Sequence, residues 1–304
     1  MRASIALAAI LAAARPAPPA PALHVNGDRL QSLLTSLSRF GANPEGGVSR
    51  LGFSAEDQAA RAWLMERMRE AGLEVSVDAA ANIHGRRRGR DASAPTLLFG
   101  SHIDSVPKGG NFDGDVGSMG ALEVMLTLRD EGAVTRHPLE MVVWSNEEGV
   151  HYGKGLFGSR AAARGPDAGE LEQKDEQGVA LSEWLRRYGL DPSRVAEARL
   201  DPRSLAAYLE LHIEQGGILH RRGVQIGVVE GIVGIDRYQV TVEGFANHAG
   251  TTPMDQRQDA LVAAAGLVRA VREEVMARPG RQVGNVGWIQ VLPGAPNVVP
   301  GLVR

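Results

Sequence analysis

The chain has 304 residues, enough for one large domain or two ordinary ones. Apolar residues make up 43% and charged residues 23%, so a sizeable core can be buried and wholesale disorder is excluded. The net charge of -3 leaves no basic excess to neutralise phosphates, which argues against a nucleic-acid partner. The absence of cysteine excludes disulfides, thiolate metal sites and a Cys nucleophile.

The first 23 residues read as a signal-like or disordered extension. Arg2 precedes an apolar run from Ile5 to Ala14 and then a Pro-rich stretch, the pattern of a secretory h-region or of an Ala/Pro tail. The run is too short to span a bilayer, and no other segment approaches ~18 unbroken apolar residues, so no membrane span is expected. A cytoplasmic protein is expected, or an exported one if residues 1–22 are a signal peptide. Leu30, Leu33, Leu34 and Leu37 have amphipathic helical spacing. Ser54 and Asp57 form a capping-box signature, followed by a helical face of Ala60, Trp63, Leu64, Met68 and Ala71. LEVSV (Leu73 to Val77) alternates like a half-buried strand. Pro95 to His102 and Leu139 to Asn146 are continuous apolar runs, as in strands covered on both faces, with a helix predicted from Gly117 to Leu128 between them. Strand, helix and strand in this order form a crossover unit, which predicts an α/β fold with a mixed, partly parallel sheet.

Residues 165–205 are charged and poorly periodic, which predicts surface helices and loops; Leu205 to His212 is a further strand. From about residue 226 the texture changes. Asp236 to Gly244 alternates cleanly, a helix is predicted from about Asp255 to Ala277, and Val286 to Val291 is another strand. The expected organisation is a catalytic domain over 24–226 and a smaller α+β domain over 227–304, with an open-faced sheet.

Metal-capable residues cluster where the apolar strands end. His102 and Asp104 follow LLFG, and a Gly-rich segment then carries Asp113 and Asp115. Glu147 and Glu148 follow MVVWSN, and His212, Glu214 and Gln215 follow YLEL. In open α/β sheets, sites form beyond the carboxyl ends of strands. A lone His is usually structural and a Glu pair usually solvated, but three strand ends carrying such groups point to a metal site. Imidazole with carboxylate suits zinc, manganese, cobalt or nickel. One of two adjacent glutamates can bind metal while the other takes a proton from water, and Asp104 can hold the second nitrogen of His102. There is no GxxxxGK[ST] to make the glycines a nucleotide loop and no GxSxG to support a serine hydrolase.

Five ordered blocks carry a resemblance: GSHIDSVPKGGNFDGDVG, WSNEEG, ELHIEQG, NHAGTTPM and PNVVPG. Together they resemble the amidase branch of the di-zinc aminoacylase/carboxypeptidase-type metallohydrolases. That branch holds N-carbamoyl-L-amino-acid hydrolases, β-ureidopropionases and allantoate amidohydrolases. The resemblance implies a catalytic α/β domain with a lid domain that also dimerises, and two divalent metal ions per complete subunit. It implies His102 and His212 as ligands of one metal, Asp113 as the bridging carboxylate, Glu148 as ligand of the other metal and Glu147 as general base. Gln215, His248 and Asn297 match substrate-contacting positions, and His248 is expected to reach the active site of the neighbouring subunit of a homodimer.

The resemblance also implies an Arg after the NVVPG block, distinct from the terminal Arg304, and a much later His ligand, and the 304 residues contain neither. The expectation is therefore a C-terminally truncated chain. Ligand counting agrees: a catalytic zinc takes about three protein ligands, and His102, Asp113 counted twice, Glu148 and His212 fall one short of two such sites. The predicted activity is metal-dependent hydrolysis of a linear, non-peptide C–N bond in an N-carbamoyl-L-amino acid or β-ureido acid. An allantoate amidohydrolase is the alternative within the branch. An aminoacylase or dipeptidase is a further one, disfavoured by HIEQG because such peptidases tend to use a carboxylate there. The non-enzyme alternative is an inactive metal-binding or dimerisation remnant.

Overall fold

The computed structural model describes residues 23–304, so the signal-like or disordered extension predicted for residues 1–23 falls almost wholly outside the described residues. The described chain forms two compact units, one ending at Ile226 and the other running from Gly227 to Arg304.

The first unit is built on a five-stranded sheet of order β1-β2-β4-β3-β5, with β1 Glu74–Val77, β2 Ile83–Arg87, β3 Thr96–His102, β4 Leu139–Trp144 and β5 Leu205–Leu209. β3 runs parallel to both β4 and β5, while β2 is antiparallel to β4 and β1. The fold is thus α/β with a mixed, partly parallel sheet. Its consequence for chemistry is direct. Three parallel neighbours end on the same edge of the sheet, so the segments leaving β3, β4 and β5 emerge side by side.

Helices α1 (Gly27–Leu37), α2 (Ala55–Glu70) and α3 (Asp115–Asp130) supply the apolar faces for the larger core, where Leu37, Leu64, Met68, Leu122 and Met125 meet Ile83, Met141 and Val143 of the sheet. Fully burying each such side chain stabilises the fold by ~1.5–3 kcal/mol. α2 starts where the sequence signals it: the Ser54 side chain accepts the Asp57 N–H at 3.2 Å. Glu56 and Asp57 sit at the positive end of that helix dipole, and Arg67 and Arg69 at the negative end.

The structure adds β2, which the sequence reading passes over. IHGRR lacks strand alternation, but it pairs on both edges, and the ladders to β1 and β4 hold it extended. Residues 165–205 are also more than surface. Leu181 and Leu185 of α5 (Leu181–Arg187), with Val195 and Ala198, pack on Phe53 and on Phe157 of α4 (Phe157–Arg164) to form a second core. Its short helical pieces each bury too few residues to show a period in sequence. A short helix α6 (Ile218–Arg222) follows β5.

The second unit packs α7 (Ala260–Ala277) against a three-stranded antiparallel sheet of order β6-β10-β8, with β6 Val242–Glu243, β10 Leu302–Val303 and β8 Val291–Leu292. Ala260 and Ala264 meet Val303, Val242 and Val291. A separate ladder joins β7 (Asn247–His248) to β9 (Val298–Val299). The strands are much shorter than the sequence predicts. Of Asp236 to Gly244, Val242 and Glu243 pair with β10, which reaches to one residue before the last of the sequence, and the Gly244 N–H bonds to the Gly301 carbonyl at 2.8 Å. Of Val286 to Val291, Val291 pairs with Val303 and Gln290 exchanges backbone hydrogen bonds with Arg304 at 2.8 and 2.9 Å. α7 starts at Ala260 rather than near Asp255 because the Asp259 carboxylate caps it, accepting the N–H groups of Leu261 and Val262.

Candidate metal-binding active site

His102 is the last residue of β3, the Glu147–Glu148 pair follows β4, and His212 follows β5. Asp113 comes from the Gly-rich loop before α3. Among the described residues, His102, Asp113 and His212 form the one group of three whose donor atoms lie close enough to share an ion, all within 4.8 Å of one another. The imidazoles stack with ring centroids 5.9 Å apart.

Their tautomers follow from their partners. His102 Nδ1 lies 2.9 Å from the backbone carbonyl of Asp104, and His212 Nδ1 lies 2.9 Å from that of Ile213. A carbonyl can only accept, so both Nδ1 atoms carry hydrogen and both Nε2 atoms are turned toward carboxylates. His212 Nε2 faces Asp113 Oδ1 at 3.1 Å, and His102 Nε2 lies 4.0 Å from the same oxygen. Acceptors facing one another demand a cation between them, either a proton or a metal ion. The donor set of two imidazoles and a carboxylate therefore fits a transition metal such as zinc.

Asp104 departs from the expected role. Its backbone carbonyl, not its carboxylate, receives His102 Nδ1–H; the carboxylate Oδ1 is 3.7 Å away. The carboxylate instead accepts the backbone N–H groups of Glu147 and Glu148, each at 3.0 Å. One buried side chain thus fixes the turn that presents both glutamates, and this cross-strand bond has no sequence signature. Glu147 Oε2 comes within 3.6 Å of His102 Nε2. Glu148 stands outside the three-residue cluster.

Burial raises the pKa of Glu147. It pushes that of Glu148 up to about 7, where Glu147, Asp113 and Asp104 add negative charge and His102 offsets only part of it. For His102, burial pulls the pKa down, but the Asp104 and Glu147 carboxylates outweigh it and the net shift is upward.

Gln215 donates from Nε2 to both Asp113 oxygens, at 3.1 and 2.8 Å. Glu214 points elsewhere: it accepts the N–H groups of Ile218 and Leu219 and so caps the start of α6. Asp115, metal-capable by its place in the Gly-rich segment, is instead buried and paired with Arg50. His151 pairs with Glu176, and Tyr152 packs on the second core, so neither joins the cluster.

In the second unit, His248 pairs with Val298, and the Ala249 N–H bonds to the Asn297 carbonyl at 2.9 Å, which brings both predicted substrate residues to one ladder. His248 Nδ1 accepts the Gly250 N–H at 3.1 Å, leaving Nε2–H as a donor on an exposed ring. Arg257 is half-buried and donates to the Thr252 and Ala249 carbonyls, closing the turn after His248.

A His/carboxylate cluster beyond the carboxyl ends of parallel strands, with two glutamates beside it, defines a metal-dependent hydrolase. The sequence model described as peptidase family M20/M25/M40 matches residues 98–293, and the chain belongs to that family, whose members depend on metal. It is similar to an N-carbamoyl-L-amino acid amidohydrolase of Geobacillus stearothermophilus, 44% identical over 280 residues that make up 92% of this chain and 68% of that protein. It is also similar to a ureidoglycolate hydrolase of Arabidopsis thaliana, at 36% identity over 92% of this chain and 60% of the relative. Among solved structures, a hydantoinase/carbamoylase-family amidase from Burkholderia vietnamiensis superposes with a TM-score of 0.77 at 38% identity, covering 92% of this chain and 67% of that one. Within the family, the chain is an amidohydrolase. Among the described residues, no helix is long and apolar enough to cross a membrane.

Proposed function

We propose that this amidohydrolase cleaves the carbamoyl C–N bond of an N-carbamoyl-L-amino acid or β-ureido acid, releasing the amino acid, carbon dioxide and ammonia. The observation that carries the metal-dependent reading is the locked pair of imidazoles: both Nδ1–H groups are committed to backbone carbonyls, and both Nε2 atoms face Asp113. The choice of substrate is supported by the five motif blocks and by relatives named as N-carbamoyl-L-amino-acid amidohydrolases.

His102, Asp113 and His212 would hold one divalent ion, and Glu148 with Asp113 a second; zinc, manganese, cobalt and nickel all suit these donors. Such ions, when bound, polarise the scissile carbonyl and make water acidic enough to attack near neutral pH. The protein's own groups do the rest. The Glu147 carboxylate takes a proton from the attacking water and returns it to the departing nitrogen. The Asp104 carboxylate holds the Glu147 backbone so that this carboxylate stays beside His102. Gln215 and Asn297 contact substrate. His248 Nε2–H donates to the oxygen of the scissile carbonyl, acting from a second copy of the chain in a homodimer. The protein works in the cytoplasm, or outside it if residues 1–22 are a signal peptide.

The test is a substrate panel of N-carbamoyl-L-amino acids, β-ureidopropionate and allantoate, run on the 304-residue chain and on a longer chain carrying the implied Arg and late His, with added zinc or manganese and again with chelator. Metal-dependent turnover of the carbamoyl compounds is expected of the longer chain, and weak or no turnover of the 304 residues alone. Turnover of allantoate alone would move the substrate assignment, and zinc binding without any turnover would favour the non-catalytic reading.

A further inference from the structure

Behind the cluster lies a charged side chain that the reaction does not use. Arg50 is 0% exposed, yet all three of its guanidinium nitrogens have acceptors. Nε donates to the Ile103 carbonyl at 2.5 Å, and Nη1 to the carbonyls of Leu37 and Phe40 at 3.1 and 2.9 Å. Nη2 donates to both oxygens of Asp115, at 2.8 and 2.7 Å. The two loops it grips both carry candidate metal ligands. Ile103 directly follows His102, and Asp115 lies two residues after Asp113. Between them Gly114, at φ +66°, sits so close to the His102 ring that an added Cβ would lie 2.4 Å from ring atoms. The Arg50 backbone joins the same lacing: its carbonyl accepts the Ser105 N–H at 2.8 Å, and its N–H donates to Ser105 Oγ at 2.9 Å.

We propose that Arg50 is a positioning residue that fixes the separation of His102 and Asp113, and thereby the affinity of this site for a divalent transition metal. The proposal rests on the metal-site reading above. A planar fork of five fixed donors can hold two loops at one spacing, whereas a lysine ammonium has three donors and no plane. A ligand pair free to drift by even a fraction of an ångström binds its ion more weakly. A merely structural ion pair behaves otherwise. Replaced by apolar residues of similar volume, it leaves stability nearly unchanged or improved, and nothing else should alter.

The experiment is calorimetric zinc titration of the 304-residue chain, with circular dichroism and thermal melting alongside, for Arg50→Lys and for the double variant Arg50→Met with Asp115→Leu. Leu64→Ala serves as a destabilised control remote from the site, and His102→Ala as a control for the metal site itself. Both Arg50 variants are expected to keep a native spectrum and a cooperative melt while zinc affinity falls at least tenfold. Leu64→Ala is expected to lower the melting temperature and leave zinc affinity in place. Wild-type zinc affinity in a folded Arg50 variant would overturn the proposal. So would an affinity loss matched by Leu64→Ala at equal destabilisation, or failure of both Arg50 variants to fold. If His102→Ala also bound zinc normally, the metal-site reading would fall instead; loss in His102→Ala without loss in the Arg50 variants would reject the role of Arg50 alone.

Discussion

The two units place candidate functional side chains in opposite ways. In the first, the strands are long, and β3 is paired along both edges before it delivers His102, whose side chain is 2% exposed. In the second, His248 stands exposed on a two-residue ladder whose neighbouring turn is closed by Arg257. The apolar residues follow the same division. Leu122 is fully buried beneath the first sheet, while Ile232 is 91% exposed. A ligand that must meet two others on one ion needs a rigid support, and a ladder with a packed face provides it. A donor that has only to reach a substrate can be carried on a shorter one.

The largest effect that should separate the two regions is on rate. Glu147→Gln is expected to retain bound metal and lose ~10²–10⁴ in turnover, the usual contribution of a positioned general base. Steady-state kinetics with elemental analysis would check this, and near-normal turnover at full metal occupancy would remove Glu147 from its role. Stability should divide in the same direction. Leu122→Ala is expected to cost about 2–5 kcal/mol in denaturant unfolding because it leaves a cavity in close packing. Ile232→Ala should stay within about 0.5 kcal/mol, as an exposed change does. Equal costs at the two positions would abolish the contrast.

A smaller effect should appear with pH. His84 sits on β2 with Nδ1 2.7 Å from Glu140 and Nε2 3.3 Å from Asp78. Burial opposes its charge, but hydrogen bonds to the two carboxylates prevail, and its pKa rises to about 9 from an ordinary 6.5. A folded-state pKa above the unfolded value favours folding most when the group is protonated in both states. The contribution is therefore complete below pH 6.5 and is lost as pH rises through 9. His84→Gln should flatten that alkaline decline in the first unit's unfolding curve; an unchanged decline would show that another group is responsible. Smallest is the helix cap: Ser54→Ala should cost ~1 kcal/mol, measurable by the same unfolding experiment, and a neutral result would mean that water replaces the hydroxyl.

Much of the site was legible because its residues directly follow apolar strands, so His102, Glu147, Glu148 and His212 could be read from where each run stops. The helices of the first unit were legible for a similar reason: caps such as Ser54 and the spacing of Leu30 to Leu37 are local signals. The strands of the second unit were legible in position, since Val242, Glu243 and Val291 lie within the alternating runs, but alternation does not show how far a partner accompanies a segment.

By itself, the sequence determined most of the element types, the strand-end positions of the candidate ligands and, through its ordered motifs, the family. These depend on periodicity and on residue chemistry, which act within a few residues. Only the tertiary structure decided that the Asp104 carboxylate serves the Glu147–Glu148 turn rather than His102, and that Arg50 is buried and satisfied behind the cluster. Arg50 and Asp115 are 65 residues apart in the chain, and Asp104 and Glu147 are 43 apart. Hydrogen bonds at such separations depend on the sheet bringing remote loops together, and no local pattern encodes the distance between them.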